Sequence, residues 1–155
     1  MTWNALFGFA NIAALVAWAA LIIAPRWSAL LSAILYLGVG LLCLTYTLCL
    51  VGIVSGVLDP GAGGGGAASF TTIEGVRAIF ATDGGVTTGW VHYLALDLFA
   101  GLWIARDADA KSFSRLVQAP VLLLTFVAGP AGLLVWLIVR EKRARKAGGR
   151  SVLGK

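Results

Sequence analysis

The sequence predicts an all-α integral membrane protein: a four-helix bundle with a short interfacial helix between the second and third spans. Three observations carry that expectation. Of 155 residues, 59% are hydrophobic and 12% charged, with a mean hydropathy of +0.91; a water-soluble domain of this length needs far more polar surface. The apolar residues fall into four stretches near the ~20 residues that a helix needs to cross the bilayer core. Seven of the twelve Lys and Arg residues follow from Arg140 onward, directly after the last apolar stretch, in the pattern of a topology anchor.

The first span is expected from Trp3 to Ala24, stopped by Pro25, with Trp3 and Trp27 as interface anchors. Its start lacks the basic opening of a secretory signal and its apolar run is too long for one, so it is expected to be retained. The second span, about Ser28 to Leu58, is longer than needed and should tilt or project. The following DPGAGGGGAASF lacks the Gly-Lys-Ser/Thr ending of a phosphate-binding loop, so it reads as a connection, mobile from Gly61 to Ala68.

Next comes the interfacial helix, Phe70 to Ala81. Thr71 and Glu74 have capping-box spacing, and Glu74 and Arg77 can pair on one face. The third span is expected from Thr88 to Ala105. The fourth is expected from Pro120 to Val139, with Gly129 and Pro130 near its middle, before a basic tail over 141–155. Four crossings place both termini on one side. Arg77 and the seven cations from Arg140 onward then face Arg26, Arg106, Lys111 and Arg115 across the membrane, which puts both termini in the cytoplasm. The basic tail beside a bilayer points to membrane rather than nucleic acid. Cys43 and Cys49, six residues apart, point to different faces of a helix and read as structural thiols; no metal pattern is present.

Several polar groups fall inside these spans. Asp97 lies about 13 Å beyond Thr88 at 1.5 Å per residue, and Asn11 about 12 Å beyond Trp3. Thr45, Tyr46 and Thr47 on the second span, and Thr125 through Pro130 on the fourth, fall at similar depth. A shared polar pocket accounts for this layer, and so does interhelical hydrogen bonding, the favoured reading for Asn11 and the threonines. For Asp97 the functional reading is favoured, because a carboxyl group there is costly and desolvation favours its proton-donating form. Trp90, Tyr93 and Gly101 share its face, and Gly101 would admit a neighbouring helix or ligand. His92 is turned from Asp97 by about 140°. It serves a pocket wrapping around the helix or a separate site near Glu74 and Arg77, or stands as a structural histidine paired with Glu74.

The stretch WVHYLALDLFAGLWIARDA, with FTTIEGVRAIFA upstream, resembles the membrane family typified by plant neoxanthin synthase, also called abscisic-acid-deficient-four-like. The pattern is carried by Trp90, His92, Tyr93, Leu94, Ala95, Asp97, Leu98, Phe99, Gly101, Arg106 and Asp107, and upstream by Glu74, Gly75 and Phe80. Leu96 departs from it, standing where the family has Phe. The resemblance implies a carotenoid context, in which an epoxide is opened to an allenic alcohol by an acid and a base without a cofactor. It makes Asp97 and His92 candidate catalytic residues. Asn11, Tyr46, Trp90, Tyr93, Glu74 and Arg77 are candidates for substrate binding.

The expected function is therefore a membrane isomerase acting on a carotenoid-like or isoprenoid lipid. The alternative is a non-catalytic carotenoid-binding or membrane assembly protein. The Ala- and Gly-rich composition suggests a bacterial cytoplasmic membrane, and the sequence is compatible with a homo-oligomer.

Overall fold

The computed structural model describes residues 2–63 and 67–152, with side chains as far as Glu141. Of the stretch expected to be mobile, residues 64–66 lie outside the described residues. Among those described there are six helices and no strand. Helix α1 (Trp3–Ile23) opens where the Thr2 hydroxyl accepts the Ala5 N–H at 3.3 Å. It ends because Pro25 forces Ala24 into extended backbone, ψ 155°. Ala10, Ala14, Ala17, Trp18 and Leu21 form its buried stripe; the small residues let the central helix come close.

Helix α2 (Ser28–Val54) contains a π-helical segment, Ile34–Gly40. There Gly38 lies where three helices converge: a Cβ would stand 3.1 Å from Leu98 and 3.3 Å from Ala17. The helix stops at Val54, and Gly56 follows with φ 74°, a left-handed residue that ends helices. Residues 55–58, expected within the second span, are thus the turn beyond it. The connection folds back on its neighbours: Trp3 Nε1 donates to the Asp59 carbonyl at 3.0 Å, and the Gly84 N–H to that of Pro60 at 2.8 Å.

Helix α3 (Ile73–Ile79) is shorter than expected. Thr72, not Thr71, caps it by accepting the Gly75 N–H at 3.1 Å, while the Thr71 hydroxyl bonds that of Ser69 at 2.8 Å. Glu74 and Arg77 are both exposed, and the pair expected between them is not among the ion pairs of the described residues.

Helix α4 (Asp83–Ala110) is the axis of the bundle. Thr82 caps it through the Gly85 N–H at 3.0 Å, so it begins five residues before the expected third span and ends five after. Its 28 residues extend about 42 Å. Val91, Ala95, Leu98, Leu102 and Ala105 form a buried stripe at helical spacing.

The expected fourth span is not one crossing helix. It is a hairpin of α5 (Arg115–Val127) and α6 (Gly129–Val152). Helix α5 starts beside the end of α1, where Arg115 donates to the Ala24 carbonyl at 2.8 Å. It reaches the middle of the bundle, where Phe126 meets the Trp18 ring edge-on at 5.6 Å. Helix α6 then returns the way α5 came: Trp136 Nε1 donates to Asp107 at 3.0 Å and Arg140 Nε to the same carboxylate at 2.8 Å. The reversal has a local cause. Pro130 cannot continue a helix from α5, lacking an N–H and clashing with the preceding turn, and Ala128 breaks the chain at φ −149°, ψ 79°. Gly132 allows the two arms to touch, since a Cβ there would lie 2.5 Å from Thr125 Cα. Trp3 and Arg140 consequently lie at opposite ends of the bundle, not on the one side that four crossings would require.

Two carboxylates of α4 hold the hairpin and α1 in place. Asp109 pairs with Arg26 at 3.0 Å and accepts from Gln118 Nε2 at 2.9 Å. Arg26 also donates to Gln118 Oε1 and to the Leu21 and Ala105 carbonyls, so a guanidinium whose side chain is only 3% exposed keeps its partners. Asp107 binds Lys111 at 2.6 Å together with Arg140 and Trp136. The outer surface is apolar: Val16, Leu37, Leu48 and Ile138 are all more than half exposed. Helices Trp3–Ile23 and Ser28–Val54 are long and apolar enough to cross a membrane.

Candidate functional site

Positions 90, 93, 94 and 97 of α4 recur at helical spacing, so Trp90, Tyr93, Leu94 and Asp97 share one face. That face looks onto α1 and the hairpin tip. Asn11, Ala14, Leu15 and Trp18 close the α1 side, and residues 126–130 close the third. Between them lies a cleft of about 460 Å³, within the size range of small-ligand sites. Asp97 is the one carboxyl group in a lining of rings, aliphatic side chains and backbone.

Asp97 is half-buried and turned between helices toward the tip. Gly129, the first residue of α6, lies directly against its carboxyl group. Asp97 thus sits at the first turn of α6, where helices leave backbone donors unsatisfied. Only glycine permits the approach, because a Cβ at 129 would collide with the carboxylate. The arrangement places a carboxyl group in a mostly apolar cleft, packed against the first residue of α6.

Asn11 shares the cleft with Asp97, but its amide is committed elsewhere. Its Oδ1 accepts the Trp90 indole N–H at 3.0 Å, and its Nδ2 donates to the Phe7 carbonyl at 2.8 Å. Phe7 stacks on Trp90 at 5.9 Å. This network fixes Trp90 as a wall and ties α1 to α4. The space at Gly101 is taken by the Trp18 indole, which lies where a Cβ would stand.

The single polar layer expected at this depth divides in two. Tyr46 and His92 meet on the α2 side of α4, ring centroids 5.2 Å apart; neither lines the cleft. Tyr93, which does, presents its ring edge-on to His92 at 6.2 Å. Thr45, Thr47 and Thr125 each donate to the carbonyl four residues earlier, at 2.9, 2.8 and 2.8 Å, and are satisfied within their own helices. Glu74 and Arg77, exposed on α3, also stand outside the cleft. The described residues contain no group of three His, Cys, Asp or Glu placed to hold a metal ion.

Sequence reasoning placed residues 125–130 at the depth of Asp97, and 126–130 do line the cleft, but it missed Trp18 as a wall and the hairpin that brings the tip there. The available signal was Gly129-Pro130 with Gly132, a helix-breaking pair followed by a small residue inside an apolar stretch. Comparisons with curated proteins and with solved structures found no match. The family model described as ABA DEFICIENT 4-like matches residues 5–136, which takes in every residue of the cleft, the hairpin tip and Trp136 of the Asp107 cluster, and on this match the chain belongs to the ABA DEFICIENT 4-like family.

Proposed function

We propose that the chain is a membrane-embedded isomerase that acts by acid–base chemistry on a carotenoid-like or isoprenoid lipid, with Asp97 as the proton-carrying group. Family membership suggests a role in carotenoid- and abscisic-acid-related processes. The observation that carries the finer reading is the placement of one carboxyl group, packed against Gly129, in a largely apolar cleft. An intramembrane carboxyl group is costly and marks function by default. The cleft suits the end ring of a polyene rather than its full length.

In an epoxide-to-allene isomerisation, Asp97 gives its proton to the epoxide oxygen as the C–O bond breaks. The electron pair of a vinylic C–H bond forms the new double bond, and the resulting carboxylate accepts that proton. Atoms balance, no oxidant or reductant is consumed, and a single carboxyl group serves as acid and then base. His92 is not required to share the site.

The same reading gives the chain three crossings, α1, α2 and α4, with the α5–α6 hairpin entering to mid-depth. Arg26, Arg106, Lys111, Arg115 and the basic tail then gather at one end, which the positive-inside rule assigns to the cytoplasm. The test is turnover of an epoxy-carotenoid by purified protein in lipid vesicles. Asp97→Asn should lower the rate by about 10²- to 10⁴-fold while folding and lipid retention persist, and His92→Ala should stay within a few-fold of wild type. A fully active Asp97→Asn variant refutes the reading. Pigment that co-purifies and stays chemically unchanged points instead to a binding protein.

A further inference from the structure

Of the adjacent Arg106 and Asp107, only Asp107 helps to hold the hairpin. Arg106, turned from it by about 100°, is exposed and has no ion pair or hydrogen bond among the described residues. Positions 96, 99, 103 and 106 recur at spacings of three and four, so Leu96, Phe99, Trp103 and Arg106 form one stripe of α4. The bundle leaves this stripe uncovered: Leu96 is 51% exposed, Phe99 50% and Trp103 37%. The Arg140 guanidinium lies over the Trp103 ring, 5.4 Å from its centroid, while its Nε and Nη2 bond Asp107. Trp103 therefore has one guanidinium group on its ring and another one turn further along α4, at the end of an apolar surface. The nearby Asp107 is already matched by Lys111 and Arg140, and Asp109 by Arg26, so the Arg106 charge is left uncompensated there.

On the membrane placement proposed above, we infer that this stripe binds one anionic phospholipid of the cytoplasmic leaflet. Its phosphate is held by Arg106 and Arg140 beside Trp103, and its acyl chains lie over Phe99 and Leu96. From Leu96 to Arg106 the helix rises about 15 Å, half of the ~30 Å hydrocarbon thickness, so the stripe matches one leaflet. Guanidinium groups suit phosphate because their planar N–H donors engage its oxygens in pairs, and cations at this surface attract anionic lipid. A second copy is the poorer occupant. Two copies in one bilayer share an orientation, so a twofold contact along the stripe would set Arg106 against Arg106 with no anion between them.

Native mass spectrometry tests this on the full chain, released from vesicles of phosphatidylglycerol and phosphatidylcholine with matched acyl chains. Wild type should retain one phosphatidylglycerol in preference to phosphatidylcholine. Arg106→Ala should weaken phosphatidylglycerol retention about fivefold, the loss of one cation near the surface, and leave phosphatidylcholine retention unchanged. Arg106→Lys keeps the charge and should recover most of the loss. Lys146→Ala removes the same charge from the basic tail and should stay within about twofold of wild type. Equal losses in Arg106→Ala and Lys146→Ala overturn the inference, because the attraction then belongs to the whole basic end rather than to the stripe. So does a dimer that Phe99→Ala disperses, which makes a second copy the occupant. An inserted wild-type chain with no preference for phosphatidylglycerol overturns the lipid site alone. Chain recovered in the aqueous phase without detergent overturns the membrane placement itself, so the two failures are distinct.

Discussion

Substituting Asp107 tests whether the far end of α4 holds the hairpin in place. Its carboxylate accepts from Trp136 Nε1 at 3.0 Å, Arg140 Nε at 2.8 Å, Arg140 Nη2 at 3.2 Å and Lys111 Nζ at 2.6 Å. Trp136 is 0% exposed, so Asp107→Ala strands a buried indole N–H, at about 1–3 kcal/mol. The Arg140 and Lys111 side chains are 29% and 27% exposed, and their ion pairs add about 1 kcal/mol or less each. The expected loss is therefore about 2–4 kcal/mol. Asp107→Asn keeps an acceptor for the indole and should lose about half as much. Arg106→Ala, at an exposed neighbour, should stay within about 0.5 kcal/mol. Unfolding titrations in detergent micelles, followed by tryptophan emission, measure all three. An Asp107→Ala protein as stable as wild type would refute the reasoning, and so would an Asn variant as damaged as the Ala variant.

Gly101→Leu places a side chain where the Trp18 indole lies, and the overpacking should cost about 1–3 kcal/mol, visible as a lower melting temperature. Asn11→Ala removes the acceptor of the Trp90 indole; a loss of about 1 kcal/mol and altered emission from Trp90 are expected, and an unchanged spectrum would count against the wall role. Reporters fused ahead of Met1 and after Lys155 should fall on opposite sides of the membrane, with the carboxy-terminal one cytoplasmic; two reporters on the same side would restore four crossings. Thr72→Ala should cost about 1 kcal/mol through loss of the α3 cap, read as faster hydrogen exchange confined to residues 73–79.

The all-α class, the positions of α1 and α2 and the existence of a helix at 73–79 were legible in the chain. Apolar length and Pro25 act locally, and each leaves its mark within one or two turns; the cap at Thr72 was missed by one residue, because neighbouring threonines carry the same cap-forming group. The family was legible too, because Trp90, His92, Tyr93, Asp97, Arg106 and Asp107 stand in one continuous stretch. Asp97 could be singled out from the cost of a carboxyl group at mid-depth, without knowing what it faces.

Its surroundings could not. Depth along a helix follows from counting residues, but which helices flank that depth depends on how they pack around α4. Thr45, Tyr46 and Thr47 share the depth of Asp97 and still lie on the other side of the axis, while Trp18 and Phe126 close the cleft without any polar mark in the sequence. The hairpin is the clearest case. Twenty apolar residues containing Gly129-Pro130 satisfy the composition of a kinked crossing helix and of a turn equally well. The choice is made by contacts far away in sequence: Asp107 draws Trp136 and Arg140 back to the end where α5 began, and Gly129, having no side chain, lets the tip pack against Asp97.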